Sequence, residues 1–480
     1  MDAAIEAKID AYIDEVWEDV VGDIEQLVSY PSVADAGQAE PGSPFGKPVR
    51  GALDCALGIA RRLGYETSDD DGYMGIADIP GERMEHVATI AHVDVVPAGT
   101  GWATDPFAMA RRDGWLLGRG VIDDKGPAVL SLYAGAFLLR EGVRPRYTFR
   151  ALLGCDEEVG MTDVHHYLAS HEQPLFLFTP DAEFPVCNAE KGCFGAVFTS
   201  GRISGGRILS WSGAEVTNAI PGESVLEIAV DAASLPEPVS GAGRIRIEEV
   251  RPGVARIVAT GIGGHASLPE GTINAIGLVV DYLHEASRAR AARGEEALLS
   301  ADEERFCELL ALVHADTAGE GLGIASRSEA LGPLTVNGGT IDVADGHIRQ
   351  TIDVRYPDST TVASMLGTLR ELAGQFGATV EETRSKPPFS VGADHPAVQT
   401  LLAVYGEVTG NEAKPFSMGG GTYARNFERA VSFGPEGDEG EVPSWVGPMH
   451  GANEGANEQL LRRALKIYIL AIVRLMQLDL

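Results

Sequence analysis

The chain has 480 residues, a hydrophobic fraction of 44% and a net charge of −32, from 70 acidic against 38 basic residues. That length exceeds one ordinary core, so two or more domains are expected, and a mean hydropathy of −0.01 fits a soluble globular protein. So acidic a surface excludes nucleic acid and anionic membranes as partners, because both require clustered Lys and Arg; five cysteines without a CxxC pair exclude a disulfide framework and point to a reducing cytoplasm.

The amino terminus has no basic segment followed by an apolar one, so no secretory signal is expected. Ile5, Ile9, Ile13, Val16 and Val20 recur at helical spacing and mark an amphipathic first helix. Val87–Ala91 is short, apolar and β-branched, which suits a buried strand. A helix is predicted over 127–140, with Pro127 in its first turn and Gly142 just past its end. Tyr147–Gly154 and Leu175–Phe178 are two further strands. Alternating strands and helices predict an α/β layered domain with a mixed or parallel sheet.

From about Gly192 to Lys386 the character changes. Strands are predicted at Val225–Val230, Arg244–Glu248 and Val254–Ala259, a long helix over Asn274–Arg293, and a strand over His347–Tyr356. In that last strand Ile348, Ile352 and Val354 alternate with Arg349, Asp353 and Arg355. This block is expected to be an α+β domain inserted into the first, giving boundaries of 1–190, 191–386 and 387–480. The chain closes with a packed helix near Gln459–Gln477, whose apolar stretch Ile467–Val473 is too short to span a bilayer.

Several acidic segments follow apolar runs: Ala91-His92-Val93-Asp94, Gly118-Arg-Gly-Val-Ile-Asp123-Asp124-Lys-Gly126, Cys155-Asp156-Glu157-Glu158 and Pro180-Asp181-Ala182-Glu183. His92, Glu157, Glu158 and Asp181 all come just after a predicted strand, and in open α/β sheets sites form beyond the carboxyl ends of the strands. Two imidazoles, counting the late His450, and several carboxylates suit a pair of hydrolytic metal ions, whose mutual repulsion demands negative charge. Asp94, two residues from His92 on the same side of an extended chain, is placed to orient the imidazole. Glu157 and Glu158 can divide the work, one as base and one as ligand. Taken singly, a His-x-Asp reads as a surface accident and the acidic pairs as solvated turns; four segments with one address outweigh that. Cys155 reads as a small buried residue. His165, His166 and His171 are expected exposed, and His86 and His395 in loops.

The segments His92–Pro97, Gly118–Pro127, Asp156–Gly160, Thr179–Pro185 and Met449–Glu454, in this order along nearly the whole chain, resemble those of the dinuclear zinc aminoacylase/carnosinase metallopeptidases, and within them the peptidase V-like dipeptidases. The resemblance implies a zinc-peptidase-like α/β/α catalytic domain with an inserted α+β lid domain. It implies that His92 and Asp181 bind one metal, Glu158 and His450 the other, and that Asp123 bridges them. Asp94 would orient His92, Asp124 would follow a cis peptide bond, and Glu157 would act as general base and then general acid. The cofactor would be two divalent ions, zinc first, with manganese or cobalt accepted by the same donors.

In the insert, Gly263-Gly-His265-Ala-Ser-Leu-Pro-Glu-Gly271 resembles the family segment whose histidine stabilises the oxyanion. Asn218 and Arg355 resemble residues that hold the substrate, a guanidinium suiting its carboxylate. Gly419-Gly420-Gly421-Thr422 could add backbone donors. Without the resemblance these would read as a turn, a cap and an ion pair. The implied activity is hydrolysis of short unblocked peptides, Xaa-His or carnosinase-like and broad, by a metal-bridging hydroxide; the alternative is an N-acyl-amino-acid deacylase. Because the insert resembles a lid that supplies the histidine within one chain, a monomer is expected.

Overall fold

The computed structural model describes residues 3–437 and 441–480. The described chain divides into two compact units: one of Met1–Ala189, Ser390–Phe416 and Gly421–Leu480, the other of Glu190–Phe389 with Ser417–Gly420. The small return segment joins the second unit because Lys191 N donates to Met418 O at 3.0 Å.

The first unit is α/β. Six of its sheet's strands follow one another in the order Glu66–Asp70, Met74–Ile79, Tyr147–Gly154, Arg83–His92, Phe176–Thr179, Ala430–Ser432. The first two strands are antiparallel to their neighbours; the other four run parallel. Arg83–His92 and Phe176–Thr179 are apolar runs buried on both faces over most of their length, as parallel strands covered by helices must be. On one face Tyr65 packs its ring against Phe149 and donates to Leu132 O of the helix Lys125–Arg140 at 2.6 Å. Phe178, on the same face, meets Tyr468 of the terminal helix Glu458–Leu475. On the other face Arg150 donates to Tyr167 Oη in the helix Thr162–Leu168. The result is the helix–sheet–helix layering expected of the catalytic domain.

The amphipathic first helix spans Ala3–Val28 and buries Ile9, Ile13 and Val20. No helix is long and apolar enough to cross a membrane, among the described residues. Phe178 is fully buried between Phe433 and Tyr468. Phe178→Ala should therefore cost about 3–5 kcal/mol, the usual range for a buried phenyl ring, read as a lower urea midpoint at unchanged slope.

The second unit is α+β. One antiparallel sheet has the order Thr335–Ala344, His347–Tyr356, Gly192–Thr199, Thr379–Lys386; another has Ile208–Ser212, Glu223–Ile228, Val254–Thr260, Ile245–Arg251. The helices Ala275–Ala292, Ala301–Val313 and Val362–Gln375 share with them a core that includes Phe198, Leu226, Ile257, Leu283 and Phe306. The strand His347–Tyr356 departs from the expected alternation. Its last five residues are all buried, and Asp353 and Arg355 tolerate burial because they pair with each other.

Two histidine expectations change. His86 is a buried residue of the strand Arg83–His92, not of a loop. His166 and His171 are half-buried rather than exposed: His166 stacks on Tyr73 and His171 on Tyr167, both within 4.0 Å of Asp70. All five cysteines are free and buried, Cys155 among them.

Candidate metal centre

The parallel strands end toward the same edge of the sheet. His92 pairs with Gly154, and Thr179 with Ser432, so each strand releases its next residues at one edge. His92 is the last residue of its strand, Glu157 and Glu158 follow Gly154, and Asp181 follows Thr179. Asp123 precedes the helix Lys125–Arg140, and His450 lies in the loop before the strand Gly455–Asn457 and the terminal helix.

Five residues remote in sequence meet here. Donor atoms of His92, Asp123 and Asp181 lie within 4.8 Å of one another, as do those of Asp123, Glu158 and His450. Asp123 belongs to both groups and shows each a different oxygen. Its Oδ1 is 3.0 Å from His92 Nε2 and its Oδ2 is 2.7 Å from His450 Nε2. One carboxylate facing two imidazoles with two oxygens is the geometry of a bridging ligand.

The electrostatics describe a cage with surplus negative charge. Burial, reinforced by Asp181, pushes Glu157 well above the usual carboxylate range. Burial and the nearby Asp123 raise Asp181 to about 6. Burial would also raise Asp123, but hydrogen bonds from His450 and His92 outweigh it and hold that carboxyl low. The bond to Asp123, then that to Glu158, raises His450 to about 10. Glu158 Oε1 is buried and lies 3.3 Å from His450 Nε2. Burying several carboxylates together is costly, and divalent cations would offset their charge. The donor set, two imidazoles with hard carboxylates, fits two such ions.

The supporting residues are equally ordered. His92 Nδ1 makes its short contact, 2.9 Å, with the backbone carbonyl of Asp94. The Asp94 carboxylate is 3.4 Å from the same nitrogen and also accepts from Glu157 N and Glu158 N at 3.3 and 3.2 Å. Asp94 thus touches the ring as expected, more closely through its main chain, and fixes the turn that carries Glu157 and Glu158. The Asp123–Asp124 peptide is cis, and Asp124 Oδ2 accepts from His92 N at 3.1 Å.

Glu436 was not foreseen. Its buried carboxyl group hydrogen-bonds Asp181. Its loop comes close because Gly434 has no side chain; a Cβ there would fall 1.6 Å from Pro180 O. No local signal in Phe433-Gly-Pro-Glu436 marks it. Asp163 was also missed: it accepts from Cys155 N and Asp156 N at 2.6 and 3.1 Å and from the Tyr423 hydroxyl, steadying the same turn.

The chain matches the model of peptidase family M20/M25/M40 over residues 88–474. The chain belongs to this family. A peptidase of the M20/M25/M40 family is a hydrolase, and the metal-ligating groups fit the metallopeptidases among them. The chain is 31% identical over 476 residues to a protein of Lactobacillus delbrueckii subsp. lactis named Beta-Ala-Xaa dipeptidase, covering 95% of this chain and 96% of that one. Human carnosine dipeptidase 1 shares its fold with a TM-score of 0.58 at 15% identity, over 99% of both chains. The aminoacylhistidine dipeptidase of Vibrio alginolyticus gives 0.55 at 16% identity, over 95% of this chain and 96% of that one.

Within the second unit of this M20/M25/M40 chain, the residues expected to hold substrate also converge. The strand Ala219–Ile220 pairs with Gly264–His265, and Ala266 N donates to Asn218 O at 2.8 Å, so Asn218 and His265 share one short ribbon. His265 is exposed; its Nδ1 accepts from Ser267 N at 3.2 Å and lies 2.6 Å from Ser267 Oγ. A neutral imidazole that accepts at Nδ1 carries its proton on Nε2. A Cβ on Gly419 would fall 2.9 Å from that of Ser267, so the glycine run passes against the histidine ribbon. Arg355 donates to Gly419 O at 3.0 Å and to Asp353 Oδ1 at 2.7 Å. Gly420 adjoins this cluster. Thr422 sits in the first unit, buried, its hydroxyl 3.0 Å from that of Ser432 and accepting from Ala424 N.

Proposed function

We propose that this chain is a dinuclear metal-dependent dipeptidase acting on short unblocked peptides, with a broad specificity that includes Xaa-His and carnosine-like substrates. The observation that carries the reading is Asp123, whose two oxygens face two imidazoles in two adjoining three-residue groups. The relatives named as dipeptidases support the substrate class.

His92, Asp123 and Asp181 would hold one divalent ion, and Asp123, Glu158 and His450 the other, with zinc as first choice and manganese or cobalt accommodated. When bound, the ions supply Lewis acidity, acidifying water and polarising the scissile carbonyl. Glu157 takes the proton of the attacking water and delivers it to the leaving amine. Its position beside the ligand groups is fixed by the turn in which Asp94 accepts from Glu157 N and Glu158 N. His265 donates its Nε2 proton to the developing oxyanion. Arg355, held by Asp353, and Asn218 hold the substrate, the guanidinium taking its carboxylate, with the backbone at Gly420 and Thr422 adding donors.

Replacing His265 with Ala should lower kcat by about 10²–10³-fold, the usual loss for one oxyanion donor, with cation content unchanged; a wild-type kcat would remove it from the reaction. The function itself is tested on metal-stripped protein with a dipeptide panel and N-acetylated counterparts, adding back each cation. Turnover restored by a divalent ion on the free dipeptides is the expected result. Turnover of only the acetylated forms would make the chain a deacylase, and none with any cation would end the enzymatic reading. A monomer is the proposed active form, so sizing should give one chain, and mixing inactive His265→Ala and Glu157→Ala proteins should restore nothing. A cytoplasmic setting agrees with five free, buried thiols.

A further inference from the structure

We infer that the buried pair Arg119–Glu454 is a positioning clamp for the cation held by Asp123, Glu158 and His450. The inference rests on the two-cation reading above. Arg119 and Glu454 are both fully buried and joined through Nη1 and Oε2. Beyond that contact, Glu454 Oε1 and Arg119 Nη2 reach the two loops that carry the candidate ligands.

Glu454 works on the Asp123 loop. Its Oε1 accepts from Gly120 N at 3.0 Å and Ile122 N at 3.2 Å, with Asp123 N at 3.5 Å. Its backbone carbonyl accepts from Gly118 N at 3.0 Å. Arg119, itself in the Asp123 loop, works on the His450 loop: its Nη2 donates to His450 O at 3.1 Å and lies 3.4 Å from Pro97 O and Ala98 O. The guanidinium also lies 5.3 Å over the Trp102 ring. The crossing is reciprocal, since Glu454 belongs to the His450 loop and Arg119 to the Asp123 loop.

His450 depends on this support more than the other ligands do. Its side chain is 50% exposed, against 0% for His92. It sits in a loop with φ of 60°, and Asn453 has φ of 59°, left-handed values that are uncommon outside glycine, though Asn and His adopt them more often than most. His92 is fixed by a strand ladder and by Asp124. Asp123 keeps its contact with His92 if the clamp is lost. Removing one charge of a buried pair leaves the other uncompensated, so the His450 loop should shift first.

The test titrates metal-free protein with Co²⁺, following heat and visible absorption. Wild type should take two ions. Glu454→Gln should take one with wild-type affinity and the second about 10–100-fold more weakly, the usual loss for a residue that supports a ligand. In a His450→Ala background, adding Glu454→Gln should leave the remaining affinity unchanged. Arg119→Lys, which keeps the charge but not the fork, should give the same selective loss and replaces Glu454→Gln if that variant does not fold. Unchanged binding of both ions, equal weakening of both, or a further loss in the His450→Ala background would overturn the clamp. Wild-type protein taking fewer than two ions would overturn the two-cation reading and the clamp with it.

Discussion

Replacing Glu157 with Ala should lower dipeptide turnover by about 10²–10⁴-fold, the range for a positioned acid–base group, while leaving cation content at two per chain. Glu157 stands apart from both ligand groups, so neither loses a donor. Its backbone is held by Asp94 Oδ1 through the amide, and that bond survives any side-chain change. The two losses therefore separate: chemistry goes and metal stays. Glu157→Gln should behave alike, since an amide keeps the shape and cannot accept the proton. Steady-state kinetics paired with elemental analysis of the same sample decide it. Near-normal turnover, or cations lost in step with activity, would assign Glu157 a different role.

Asp123→Ala should empty both positions. The carboxylate supplies an oxygen to each ligand group, so its loss leaves two donors on either side, and the imidazoles of His92 and His450 lose the charge between them. Affinity should fall by more than about 100-fold at both positions, beyond the loss seen when only a supporting residue is changed. Asp181→Ala should behave differently, emptying only the position that includes His92. Elemental analysis of the two variants after identical dialysis gives the comparison. Equal stoichiometry in both would mean that Asp123 does not bridge.

The architecture was readable wherever hydrophobic period was strong. The strand at Tyr147–Gly154 and the terminal helix followed from apolar spacing, and the helix expected over 127–140, which spans Lys125–Arg140, followed also from Pro127 and Gly142. The His347–Tyr356 strand was found, yet its pattern misled, because Asp353 and Arg355 are buried as a pair and alternation cannot show pairing. His86 failed for a related reason: a polar residue at a strand's beginning resembles a loop until its neighbours are known.

What the sequence determined alone is the inventory of ligand-type residues and their common address past the strands. Carboxylates and imidazoles at strand ends have local signatures, and the ordered motifs carry the family resemblance. Only the tertiary structure decided that Asp123 turns one oxygen to each histidine, that the main chain of Asp94 makes the closer contact with His92, and that Glu436, Asp163, Arg119 and Glu454 stand behind the ligands. Those facts depend on distances between segments up to 335 residues apart in sequence, as in Arg119–Glu454. Periodicity reports which face of an element is buried; it carries no information about which buried charge will meet which.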